Sequence, residues 1–262
     1  MGETASISVR PGVRVACLSH RGEPGRTGFL WLGGFNSDMT GSKAESLEAL
    51  ARAQDRPCVR FDYSGHGQSG GRFADGTISL WLDEAATVFT ELTDGPTIVV
   101  GSSMGGYLAV LLLRRLARRD PGAAARIAGL LLIAPAADMT EALLWSQADW
   151  EARAAIMDEG QWLRPSDYGE PYPITAKLIE DGRRHLILDE GLEVACPVRI
   201  LQGEDDPDVP WEHALALYRA ITGDDVAFTL IKGGDHRLST ERDLATIAAA
   251  AERRAVMSDG AP

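Results

Sequence analysis

A serine hydroxyl is a weak nucleophile near neutral pH. It attacks a carbonyl only when a base stands within hydrogen-bond reach and a carboxylate orients that base. One serine of this chain has surroundings suited to such chemistry. The apolar run Thr97-Ile-Val-Val100 ends abruptly in Gly101-Ser-Ser103-Met-Gly105, and a helix-like run follows over 107–119. The pattern reads as strand, sharp turn and helix with Ser103 at the apex. Gly101 and Gly105 leave space in a turn too tight for side chains. The N–H of Met104, at the start of the helix, points where an oxyanion would form.

The base and the acid must come from elsewhere in the chain. His236 lies in Gly233-Gly-Asp-His236, a loop just after a strand-like run over 226–231. The other histidines fit less well: His20 follows an N-terminal strand, His66 packs in a glycine-rich turn, His185 falls in an irregular segment and His213 sits on a helix. Carboxylates cluster in Gly203-Glu-Asp-Asp206-Pro-Asp-Val-Pro210, also at a strand end. The order Ser, Asp, His favours Asp206, with Glu204, Asp205 and Asp208 as neighbours and Asp138 as an alternative position. A second oxyanion donor is expected from the loop Gly33-Gly34-Phe35-Asn36, which makes the N–H of Phe35 the candidate.

These loops need a scaffold, and the sequence alternates in the way one requires. Residues 6–19 read as an antiparallel pair of strands, and 28–32, 58–61, 97–100, 127–134, 197–203 and 226–231 as buried strands. Between them, helices begin at Ser42, where Ser42-Lys-Ala-Glu45 suggests a capping box, and span 211–220 and 239–256. A helix face of Trp81, Ala85, Val88 and Leu92 precedes the turn at Ser103. Strand–helix alternation implies an α/β fold with a mostly parallel central sheet flanked by helices. The rhythm breaks over 138–193, an aromatic-rich insertion with Trp145, Trp150, Trp162, Tyr168 and Tyr172. We expect one domain over 1–262, with 138–193 as a small helical lid whose tryptophans bind substrate over an apolar acyl pocket. The last six residues are expected to fray.

Composition narrows the function. A formal charge of −12 on 262 residues argues against a nucleic-acid partner, which would need Lys and Arg to neutralise phosphates. Three widely spaced cysteines, Cys17, Cys58 and Cys196, form no metal-ligand pattern and fit a reducing compartment. No apolar run reaches the ~18 residues of a membrane span. Neither metal nor organic cofactor is required. Oligomeric state is left open.

The residues above resemble the α/β-hydrolase-fold serine hydrolases along nearly the whole chain. Within that family they are similar to the mitochondrial palmitoyl-protein thioesterase and acyl-glucuronide esterase branch. The likeness rests on Gly34-Phe35, Met39-Thr-Gly-Ser-Lys-Ala44, Arg60-Phe-Asp-Tyr-Ser-Gly65, Val100-Gly-Ser-Ser-Met-Gly-Gly106, Pro197-Val-Arg-Ile200, 206–211 and Asp235-His-Arg237. The resemblance implies a nucleophile at Ser103, an acid at Asp206 and a base at His236, acting on a small-molecule acyl ester or thioester. A peptidase of the same fold and a non-catalytic binding protein are the alternatives. No transit-like segment is read at the N-terminus, so a cytoplasmic location is expected.

Overall fold

Continuous apolar runs become strands covered on both faces. In the computed structural model, which describes residues 3–165 and 170–260, the chain begins with β1 (Glu3–Arg10) and β2 (Val13–His20). There follow β3 (Gly28–Leu32), α1 (Ser42–Ala53), β4 (Cys58–Phe61), α2 (Ile78–Leu92), β5 (Thr97–Ser102), α3 (Met104–Arg119), α4 (Pro121–Ala125) and β6 (Ile127–Ile133). After an interruption come α5 (Trp150–Ala154), the hairpin β7 (Gln161–Arg164) and β8 (Tyr172–Thr175), α6 (Ala176–Gly182) and β9 (Leu192–Glu193). The rhythm resumes with β10 (Val198–Gly203), α7 (Trp211–Ala220), β11 (Ile221–Thr222), β12 (Val226–Ile231) and α8 (Glu241–Asp259).

Eight strands form one sheet in the order β1-β2-β4-β3-β5-β6-β10-β12. The pairs β1·β2 and β2·β4 are antiparallel, and every later pair is parallel. Strand alternation divides the core in two. Leu30 and Leu32 of β3 pack with residues of α2, α3 and α7, whereas Phe29 and Trp31 face Ala44, Leu47 and Ala51 of α1 and Ile247 and Ala251 of α8. Each fully buried large apolar side chain contributes roughly 1.5–3 kcal/mol.

Two local expectations are corrected. Helix α1 does begin at Ser42, but its N-cap is Gly41 and no side chain caps it, because Ser42 is already inside the first turn. At α8 the cap is Thr240, whose hydroxyl accepts from Asp243 N–H while the Asp243 carboxylate accepts from Thr240 N–H, both at 3.2 Å. The end of α8 is not frayed up to Asp259. Its carboxylate accepts from Thr27 N–H at 2.8 Å and pairs with buried Arg56 at 2.8 Å.

The segment between β6 and β10 is more than helical. Two π-helical turns, Thr140–Trp145 and Ala155–Glu159, flank α5, and β7 pairs antiparallel with β8 from Gln161↔Thr175 to Arg164↔Tyr172. Tyr168 lies outside the described residues. The segment is closed at its base by Asp138, whose buried carboxylate accepts N–H bonds from Ile187 at 2.9 Å and Leu188 at 3.0 Å.

The turn between β5 and α3 is strained. Ser103 sits at φ 55°, ψ −118°, where a non-glycine residue is rarely held. Its N–H donates to Ile133 O at 2.9 Å, and its carbonyl accepts from Gly106 N–H at 3.0 Å and Ala136 N–H at 3.1 Å. A Cβ at Gly101 would lie 2.2 Å from Gly105 O, and one at Gly105 would lie 2.0 Å from Leu32 O. Only hydrogen fits there.

A second loop, 62–71, props the loop after β3. The Asp62 carboxylate accepts from Met39 N–H at 2.7 Å and Gln68 N–H at 2.8 Å. The buried His66 ring donates from Nδ1 to Ser64 O and accepts from Asn36 N–H at Nε2, each at 3.2 Å. Asn36 needs this support, since it holds φ 56°. Burial brings His66 down to about 4, against a smaller opposing effect of the Ser64 bond.

Two outcomes follow from these contacts. Gly105→Ala is expected to cost about 3 kcal/mol, a fall in the thermal midpoint of roughly 6–12 °C, read by calorimetry. For His66, the unfolded chain takes up a proton near pH 6.5, which the folded protein refuses until about pH 4. Its contribution is therefore present above pH 6.5 and lost as the pH falls through that window. In His66→Gln, which keeps an acceptor for Asn36, the fall of thermal midpoint from pH 6.5 to 4 should be shallower than in the unaltered protein. Parallel curves would contradict the assignment.

Candidate functional site

Parallel strands present their following loops at one edge of a sheet, where such folds place sites. Ser103 stands directly after β5, Asp206 three residues after β10 and His236 five after β12. The three meet there. The Ser103 hydroxyl donates to His236 Nε2 at 3.1 Å, and His236 Nδ1 donates to Asp206 Oδ2 at 2.8 Å. Asp206 is buried, and four donors fix its carboxylate. Oδ1 accepts from Asp208 N–H at 2.9 Å and Val209 N–H at 2.8 Å, and Oδ2 accepts from Gln202 Nε2 at 2.9 Å as well as from His236. Gln202, fully buried at the end of β10, also donates to Val209 O at 2.9 Å. Sequence reading passed over it, although a lone amide in the apolar run Val198-Arg-Ile-Leu-Gln-Gly203 is a signal.

The remaining candidates lie elsewhere. Asp138 holds the base of the inserted segment, and Glu204 pairs with Lys232 at 2.6 Å. His213 Nε2 donates to Ala137 O at 2.7 Å, His185 is bonded to Ser79 Oγ at 2.7 Å, and His20 lies 3.9 Å from an Asp55 oxygen. Asp206, Asp208 and His236 offer ligand atoms within 4.8 Å of one another, the one such grouping found among the described residues. Two of its members are already bonded to each other.

The loop after β3 closes over the serine. A Cβ at Gly34 would be 3.4 Å from both Ser103 Cβ and Ser102 O, so this backbone runs in van der Waals contact with the turn. The N–H groups of Phe35 and Met104 have no acceptor among the described residues. The Phe35 ring packs edge-on against Phe73 at 4.9 Å, Tyr172 at 5.5 Å and Trp81 at 5.8 Å.

Two cavities reach Ser103 and His236. The first, about 160 Å³, is walled chiefly by Phe35, Ala136, Met139, Leu143, Leu144 and Tyr172, with Arg164 and Asp208 also lining it. The second, about 350 Å³, is lined by Trp31 together with the polar and charged side chains of Ser37, Asp38, Ser42, Lys43 and Arg237. Lys43 is brought down to about 8, chiefly by burial and then by the charge of Arg237.

None of the three tryptophans expected at the substrate lines either cavity. Trp145 is flanked by the guanidinium groups of Arg153 and Arg183, each 5.3 Å from its ring. Trp150 is 77% exposed. Trp162, half-buried on β7, packs against the core opposite Ile174. From the inserted segment, the first cavity takes Met139, Leu143, Leu144, Arg164 and Tyr172 instead.

With this geometry in hand, likeness to known proteins is informative. The profile of the alpha/beta hydrolase family matches residues 24–250. The mitochondrial palmitoyl-protein thioesterase ABHD10 of Pongo abelii is 33% identical over 219 residues, covering 83% of this chain and 69% of the relative. A solved structure from Agrobacterium vitis S4 superposes with a TM-score of 0.93 at 41% identity, covering 97% of this chain and 99% of the other. Alpha/beta hydrolase domain-containing protein 10 from mouse superposes with a TM-score of 0.83 at 30% identity, covering 96% and 97%. The expected cytoplasmic location is withdrawn, because the curated relatives are mitochondrial by name. No helix among the described residues is long and apolar enough to cross a membrane. The chain belongs to the alpha/beta hydrolase family.

Proposed function

We propose that the protein is a serine hydrolase of carboxylic esters or thioesters, with Ser103 as nucleophile, His236 as base and Asp206 as the carboxylate that orients it. The observation carrying this reading is the unbroken hydrogen-bonded line from Ser103 Oγ through His236 to the buried Asp206, at the edge of a cavity walled by apolar side chains. The curated relatives are thioesterases by name, which supports the same class.

The steps follow from the geometry. Ser103 Oγ bonds to the acyl carbon as His236 Nε2 takes its proton, and the carbonyl oxygen becomes an oxyanion facing the N–H groups of Met104 and Phe35. Loss of one such donor costs roughly 3–4 kcal/mol of transition-state stabilisation. The imidazolium returns its proton to the leaving oxygen or sulfur as that bond breaks. Water, deprotonated by His236, then attacks the acyl-enzyme and releases the acid. Asp206 holds the Nδ1–H tautomer throughout, and its bonds to Gln202, Asp208 and Val209 keep it from turning away.

Residues 138–193 serve as a cap within a single domain over 1–262, since their side chains complete the first cavity. Its size sets an expectation for the acyl group. A volume near 150 Å³ holds about one benzene ring, so a short or aromatic acyl group fits within the cavity as it stands.

Hydrolysis of matched acyl esters and thioesters of increasing length tests this reading. The rate should depend on Ser103, be highest for short or aromatic acyl groups and vanish in Ser103→Ala. Asp206→Asn should lower kcat by about 10³–10⁴ with little change in KM. A rate rising steadily to sixteen carbons would contradict the acyl limit. A rate unchanged in Ser103→Ala would contradict the mechanism.

A further inference from the structure

The two cavities that meet at Ser103 differ in the side chains that line them. An ester has two halves, and the apolar cavity suits only one of them. We propose that the second cavity is an anion subsite, in which Lys43, the open first turn of α1 and the Trp31 indole N–H hold a carboxylate or phosphate carried by the leaving group. This rests on the ester-hydrolase reading above.

Three independent features converge there. Helix α1, twelve residues long, begins at the cavity wall with Gly41 as N-cap and no side-chain cap, so the positive end of the helix dipole lies at that wall, with Glu45 the acid of its first turn. Trp31 is 4% exposed and its indole N–H has no partner, although it lines the cavity. Buried donors are nearly always paired, so an acceptor is missing. Gly33 passes beside it. A Cβ at Gly33 would lie 3.3 Å from Ser37 Oγ and 3.8 Å from Trp31 Nε1.

Charge points the same way. The Lys43 ammonium donates to the Arg237 carbonyl, which leaves two of its protons for other acceptors. No carboxylate lies within ion-pair distance of it among the described residues. Asp38, the acid lining the cavity, is engaged by Thr40 N–H at 2.7 Å and the Thr40 hydroxyl at 2.6 Å. The carboxylates of Asp235, Asp243 and Asp206 act on Lys43 at longer range, and none of them forms an ion pair with it among the described residues.

The assignment fits the chemistry of turnover. The acyl group stays on Ser103 in the apolar cavity, while the leaving group receives its proton from His236, which lines both spaces. An anion on the departing half would be held near that proton donor.

Acetyl esters of phenol, of 3-hydroxybenzoate and of 3-hydroxyphenyl phosphate test the proposal, with kcat/KM for each anionic ester divided by that for the neutral one. We expect a ratio of about ten or more for at least one anion, the two arms separating carboxylate from phosphate. The ratio should fall near one in Lys43→Met. Ser103-dependent turnover of phenyl acetate by each variant reports that it is folded. A wild-type ratio at or below one, or a ratio unchanged in Lys43→Met, overturns the subsite. Absence of Ser103-dependent turnover of phenyl acetate in the unaltered protein overturns the hydrolase reading instead. In that event, binding of benzoate and of inorganic phosphate to the Ser103→Ala protein decides the subsite alone. Binding lost in Lys43→Met supports it, and no binding overturns it.

Discussion

The first turn of α3 lies so close to the end of β3 that a single hydrogen atom separates them at Gly105. Everything at the site depends on that approach. It brings the loop 33–36 close beside Ser103 and leaves Ser103 in a conformation its own side chain disfavours. The strain is tolerated because the bonds to Ile133, Gly106 and Ala136 hold the turn from three directions.

Around this turn, different segments supply different chemistry. The first turn after β6 and the β7–β8 hairpin bring mainly apolar walls with one arginine, while the end of β3, the loop after it and the start of α1 bring an indole ring, hydroxyls and a lysine. His66 and Asp62 support the second set from beneath, through Asn36 and Met39. A neutral imidazole suits the task, because Nε2 must stay an acceptor for the Asn36 N–H.

Much of this was legible in the sequence, and the reasons are local. Buried parallel strands read as continuous apolar runs, so β3, β5, β6 and β10 were found close to their bounds. Ser103 follows β5 directly and His236 lies in the loop after β12, and chain order ranks them without three-dimensional knowledge. The tryptophans did not yield in the same way. Aromatic content locates a cluster but not its facing: Trp145 spends its ring on two arginines, and Trp150 on solvent. The β7–β8 hairpin escaped notice because short half-exposed strands such as Gln161–Arg164 carry too few residues to show a period. The Ser42 capping box misled because the pattern cannot say whether the serine lies before or inside the first turn. The second cavity was invisible for a different reason, since Trp31, Lys43 and Arg237 are distant in sequence and meet only through the sheet.

The most direct test of the central claim is covalent: reaction of the folded protein with a fluorophosphonate, followed by mass spectrometry of its peptides. An activated serine should form one phosphonyl adduct, on the peptide containing Ser103, and the adduct should disappear in His236→Ala while the protein remains folded. A folded, unaltered protein that is not labelled at Ser103, or that is labelled equally without His236, would contradict the account.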